Sequence, residues 1–141
     1  MKIAVRYQSR GGNTKAVAEA IAKAAGIKAE PIDIPLDAAV DVLFVGGGVY
    51  AWTIDSSLKG YLNTLNQDTV KSIAAFSTGG GMSGTDKITM IAKAKGINAC
   101  EKTLSIRMGT RNYHLFGGKG DVALSDKQLR LIGDFVKAIM K

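Results

Sequence analysis

Cysteine, proline, histidine and carboxylates are the scarce residues of this chain. A single cysteine, Cys100, among 141 residues excludes an internal disulfide framework and a cysteine-rich metal site, and suits a reducing compartment. One histidine, His114, has no Ser-His-Asp order, paired carboxylates or ligand-spaced partners around it, so hydrolysis and metal chemistry are poor readings. It reads as a surface-loop residue, and Cys100 as a small buried hydrophobe. No apolar run is long enough for a signal peptide or a membrane span. The chain therefore reads as soluble and cytoplasmic, with no membrane partner.

Acidic residues are outnumbered, 12 Asp and Glu against 19 Lys and Arg, for a net charge of +7. Such a balance points to nucleic acid, an acidic surface or an acidic protein partner. The basic residues are spread out, however. Lys127, Arg130, Lys137 and Lys141 recur at helical spacing around Asp134, as on a solvated face. No basic run with interleaved aromatics of the single-strand-binding kind occurs, so nucleic acid is set aside.

What is present is a regular alternation. Lys2–Tyr7 reads as a strand, and Asn13 to Ala25 as a helix with Val17, Ala18, Ile21 and Ala25 on one face, ended by Gly26. A short strand at Ala29–Ile34 is fenced by Pro31 and Pro35, which suits a sheet edge. The "VLFVGG" run after Asp41 has the continuous apolarity of a central parallel strand. Between these two strands there is room for one helical turn at most, near Leu36–Val40.

Leu58, Tyr61, Leu62 and Leu65 mark the next helix, "SIAAFS" the next strand, and Thr85 the cap of a helix burying Ile88, Ile91 and Ala92. "ACEKTLSI" reads as the last strand. Ser125 and Gln128 stand at capping-box spacing before a helix with Leu129, Ile132, Val136 and Ile139 inward. Without repeats or a linker, this is one domain over residues 1–141, of the α/β class, with a parallel sheet covered on both faces. A chain of this length buries roughly 70% of its unfolded surface, enough to need no staple.

In such sheets ligands bind beyond the carboxyl ends of the strands. Three loops there stand out. The first is Ser9-Arg10-Gly11-Gly12-Asn13-Thr14. Its glycines permit close backbone approach, and the helix that follows offers unpaired N–H groups and the positive end of its dipole. It lacks the Gly-Lys-Ser/Thr of a P-loop and the third glycine of a dinucleotide fingerprint. The plain alternative is a tight turn in which Asn13 caps the helix. The second loop, Gly46 to Thr53, includes Gly47, Gly48, Val49, Tyr50, Ala51 and Trp52. Its two aromatics could stack on a flat conjugated ring or pack under the loop. The third, Ser77-Thr78-Gly79-Gly80-Gly81 and on to Gly84, leaves backbone groups free to meet a heterocycle's edge, unless it is a bare connector.

The first loop resembles the Ser/Thr-x-Thr-Gly-Asn-Thr phosphate-binding loop of flavodoxins, and the other two resemble that family's flavin-ring loops. The similarity runs the whole length, with no long insertion in the fifth strand, as in short-chain members. It implies a flavodoxin-like doubly wound, five-stranded parallel sheet of order 2-1-3-4-5, with FMN held by the three loops at the junction of strands one and three. It also implies an electron carrier with no catalytic residues of its own, shuttling single electrons at low potential between redox proteins. Two positions depart from the pattern. Gly11 replaces a usual Thr, removing one hydroxyl, and Gly48 stands where many relatives have Pro, which should loosen the ring loop.

The charge sharpens the expectation. No Asp or Glu lies between Gly46 and Ile54 or between Ser77 and Thr85, while Arg107, Arg111 and Lys119 follow the fifth strand. Each partly screened positive charge about 10 Å from a reduced, anionic ring favours it by roughly 0.5–1 kcal/mol. For one electron that is on the order of 20–40 mV. The potential should thus exceed that of acidic relatives, and the redox partner should present an acidic patch. Two other readings stay open. One is a small FMN-dependent NAD(P)H or quinone reductase using Arg107 or Arg111 for a cofactor phosphate. The other is a flavodoxin-like module that has lost FMN.

Overall fold

Alternating apolar residues along the two longest strands face opposite sides of one sheet, and that parity decides the layering. In the computed structural model, which describes residues 1–50, 53–79, 83–107 and 123–141, β1 (Ile3–Gln8) is followed by α1 (Asn13–Ala25), β2 (Ala29–Pro31) and β3 (Val40–Tyr50). Next come β4 (Thr53–Ile54), α2 (Ser56–Asn63), β5 (Val70–Thr78) and α3 (Ser83–Ala94). The chain ends with β6 (Asn98–Ala99), β7 (Leu104–Ile106) and α4 (Asp126–Met140). Val42 and Phe44 of β3 and Ala74 and Phe76 of β5 pack under α1 and α4 with Ile21, Phe135 and Val136. Their neighbours Leu43, Val45, Ile73 and Ala75 pack under α2 and α3 with Leu58, Leu62, Ile88 and Ala92. Both faces are covered, as continuous apolar strands require.

The strands lie in the order β2-β1-β3-β5-β6, all parallel along this path, with β7 also on β5 and β4 antiparallel to β3. Counting main strands, this is the expected 2-1-3-4-5. Two details differ from the sequence reading. The "ACEKTLSI" strand is split: between Ile73 and Phe76 β5 advances three residues while the edge advances five, from Ala99 to Leu104. The two extra residues fall between the two pieces, where Glu101 and Lys102 are exposed, and charge on a sheet edge blunts it. The second difference is the β3 end, where the expected loop from Gly46 is strand as far as Tyr50 and turns back through β4.

The crossover after β2 is thin, as expected, and even the single turn near Leu36 is absent. Arg6 fills the gap. It is 7% exposed, and its guanidinium donates to the carbonyls of Val5, Ile34 and Pro35 at 2.8–3.0 Å. Three backbone acceptors take the place of a packed helix and end β2 at Pro31, short of the expected Ile34. Helix α3 starts at Ser83, so Thr85 is a buried residue of its first turn and not its cap. The box at Ser125 and Gln128 forms, but Leu129 is 45% exposed and Phe135, edge-on to Phe44 at 5.7 Å, takes the core position. The capping bonds, not burial, hold that first turn. No helix among the described residues is long and apolar enough to cross a membrane.

Candidate functional site

Helix α1 begins without a side-chain cap. Its N-cap is Gly12, in the left-handed region at φ 94°, and not Asn13, and its first turn holds no acidic residue. The conformation is one that only glycine adopts at little cost. Ser9 Oγ accepts from the Gly12 N–H at 3.0 Å and holds the turn shut from outside. What remains is a helix start whose N–H groups and dipole are unopposed by protein charge, the condition for anion binding. A tight turn capped by Asn13 is excluded.

These groups open into a cleft of about 350 Å³, within the usual range for small-molecule sites. Ser9, Arg10, Gly11, Asn13 and Thr14 form one wall. Gly48, Val49 and Tyr50 from β3, and Thr78 and Gly79 from β5, form the other. All three sequence-singled loops therefore meet beyond the carboxyl ends of β1, β3 and β5. Thr14, only 1% exposed, is joined to Thr78 by a hydroxyl contact of 2.8 Å across 64 residues. Three expected residues do not line the cleft. Gly12 is the cap behind it, Gly47 faces Leu58 on the other side of the sheet, and Ser77 is buried against Ser105. Ala51, Trp52, Gly80 and Gly81 lie outside the described residues, as do Arg111, His114 and Lys119.

Gly48 does not loosen a loop. It pairs with Thr78 inside the sheet, and a Cβ there would sit 2.7 Å from the Tyr50 hydroxyl. The missing side chain lets the Tyr50 ring fold back toward Arg10. The Arg10 guanidinium lies 3.8 Å from that ring's centroid, and the Arg10 amide donates to the Tyr50 hydroxyl at 3.3 Å. Arg10 also grips Asp55, with Nε and Nη2 at 3.0 and 2.8 Å from the same carboxylate oxygen. Asp55 in turn caps α2 by accepting from the Ser57 amide and hydroxyl. Those Ser57 bonds, then Arg10, hold its carboxyl down to about 2.

A model of the flavodoxin domain matches residues 4–131. The chain belongs to the flavodoxin family. No curated protein matches it. Among solved structures, a flavodoxin from the domain Archaea is similar over 100% of both chains, at 22% identity and a TM-score of 0.68. Flavodoxin from Megasphaera elsdenii, solved in its two-electron-reduced form, matches 96% of this chain and 98% of its own, at 14% and 0.61. The rubredoxin:oxygen oxidoreductase of Desulfovibrio gigas contains the fold as 35% of its length, covering 98% of this chain at 13% and 0.73. At these identities the likeness is one of fold.

Asp55 is the site residue that sequence reading missed. As the first residue of "DSSLKGYL" it carries a legible capping signal. Its contact with Arg10, 45 residues away, has no local trace. Elsewhere, burial raises the Tyr61 phenol and the thiol of half-buried Cys100, which packs at the rim of the α1/α4 core. Among the described residues no group of His, Cys, Asp and Glu could hold a metal ion.

Proposed function

We propose that this chain binds FMN and works as an electron-transfer protein that shuttles single electrons between redox enzymes. The observation that carries the reading is the uncapped, carboxylate-free start of α1 opening into the same cleft as Tyr50. The helix-start amides, with the side chains of Ser9, Asn13 and Thr14, would hold the phosphate. Tyr50, with Trp52 and the Gly79–Gly81 backbone, would flank the ring. FMN supplies a ring that accepts and gives up electrons one at a time. The protein orients it, limits water at one face and sets the charge around it. Helix-start amides compensate for the hydroxyl missing at Gly11, since backbone N–H groups need no side chain to bind an oxyanion.

Titration of the purified protein with FMN, followed by absorption and flavin fluorescence, tests the reading. Stoichiometric quenching with a perturbed yellow spectrum is expected; a colourless protein that takes up no added FMN overturns it. NAD(P)H–quinone turnover by the FMN-loaded protein, at rates typical of an enzyme, would replace the carrier reading by a reductase. The chain's surplus of positive charge, with exposed Arg107 at the end of β7, supports an acidic docking patch on the redox partner and a potential above that of acidic relatives. Faster exchange with an acidic than with a basic carrier at low salt, lost as salt rises, is the expected signature. A potential as low as in acidic family members would remove the charge argument.

A further inference from the structure

Arg10 stands at a junction that the binding of a flavin does not itself require. Its guanidinium is bonded twice to Asp55, at 3.0 and 2.8 Å, and lies 3.8 Å from the Tyr50 ring centroid. Its amide reaches the Tyr50 hydroxyl, and Gly48 supplies the space in which that ring lies. Arg10 also forms part of the wall of the cleft beside Gly11 and Thr14. A single cation therefore touches the carboxylate that caps α2, the aromatic face at the end of β3, and the margin of the anion-binding helix start. A planar guanidinium bonds bidentately to a phosphate as well as to a carboxylate. It cannot serve Asp55, the Tyr50 face and a phosphate with the same donors and the same ring contact.

We propose that Arg10 is a specificity-determining residue that makes exposure of the Tyr50 face conditional on a phosphate monoester. An incoming phosphate competes with Asp55 for the guanidinium and draws it off the ring, whereas a ligand bearing the same ring without the phosphate meets Tyr50 still covered. The inference rests on the FMN reading and deepens it, since helix-start amides alone would favour the phosphate without touching Tyr50. Asp55 acts from the opposite side, as the competitor that retains Arg10 when no phosphate is near.

The test compares dissociation constants of FMN and riboflavin, which differ by the phosphate, for wild type, Arg10→Ala and Asp55→Asn. Asn is as good an N-cap as Asp, so the last variant removes the charge and keeps α2 capped. Arg10→Ala is expected to weaken FMN about 10–100-fold, the loss of a charge-assisted bond. It should tighten riboflavin about two- to fivefold, because the cation over the ring is gone. Asp55→Asn should tighten FMN. These opposite signs are what a merely structural role would not produce, and thermal melts of each variant check the fold. Equal weakening of both ligands by Arg10→Ala, or weaker FMN binding in Asp55→Asn, overturns the proposal while leaving the FMN reading intact. Wild-type protein that binds neither ligand overturns both.

Discussion

The starts of α1 and of α2 and α4 are built in opposite ways. Helix α2 is capped by Asp55 and helix α4 by the reciprocal pair Ser125 and Gln128, so side chains of the chain itself meet their first-turn donors. Helix α1 has a left-handed glycine instead, no capping side chain and no first-turn carboxylate. Each omission forgoes some stability: glycine in place of a capping side chain costs roughly a few tenths of a kcal/mol, and a first-turn carboxylate would contribute about 0.3–1 kcal/mol. The first-turn donors of α1 are thus left unmatched by any capping side chain. They point into the cleft where the three strand-end loops meet.

Giving α1 the carboxylate that α2 has should produce the largest effect. Asn13→Asp puts a carboxylate in the first turn with almost no change of shape. At an effective dielectric near 20, two unit charges about 5 Å apart repel by about 3 kcal/mol. FMN affinity should fall about 100-fold in a fluorescence titration, while the melting temperature holds or rises slightly through the helix dipole. A loss of stability instead would show that Asn13 was serving the fold.

The reverse manipulation removes a cap. Asp55→Ala should cost about 1–2 kcal/mol in urea denaturation, and Asp55→Asn should recover most of it. Ser125→Ala should cost about 1 kcal/mol with FMN affinity unchanged, because the box it breaks lies outside the cleft. If that variant altered binding, the division between capped and open helices would fail. The smallest effect at neutral pH is the titration of Asp55 itself. Its folded carboxyl, lowered to about 2, lies below the usual value near 3.9, so its contribution is complete above about pH 4 and lost as pH falls toward 2. The wild-type stability profile should drop more steeply across that window than that of Asp55→Asn.

Separation along the chain divides the features that residues show locally from those that they do not. Asn13–Ala25 with Gly26 as its stop, the buried stripe of Val17, Ala18 and Ile21, and the Ser125–Gln128 box depend on residues within a few positions of one another, and they form as read. The two-sided sheet follows from the continuous apolarity of Val42–Val45 and Ile73–Phe76. The errors lie where a distant partner decides. The end of β2 was set by Arg6 reaching Ile34 and Pro35, and the start of α3 lies where Gly84 can press against Ser77 and Val49. Strand β3 persists through Gly46 and Gly47 because β1 and β5 pair on either side, and through Gly48 because β5 pairs there. Glycine's weak strand preference is overridden by two ladders of hydrogen bonds.

The alternation of strands and helices, the two apolar faces, and the glycine turn that leaves α1 open are written in the order of residues alone, because periodicity and backbone freedom are local properties. The meeting of Thr14 with Thr78, the room that Gly48 makes for a ring, and the hold of Asp55 on Arg10 came from the folded arrangement. Those contacts join residues 64, 2 and 45 positions apart. The two long-range ones arise because parallel strands place their carboxyl ends on one edge of the sheet, whatever distance along the chain separates them.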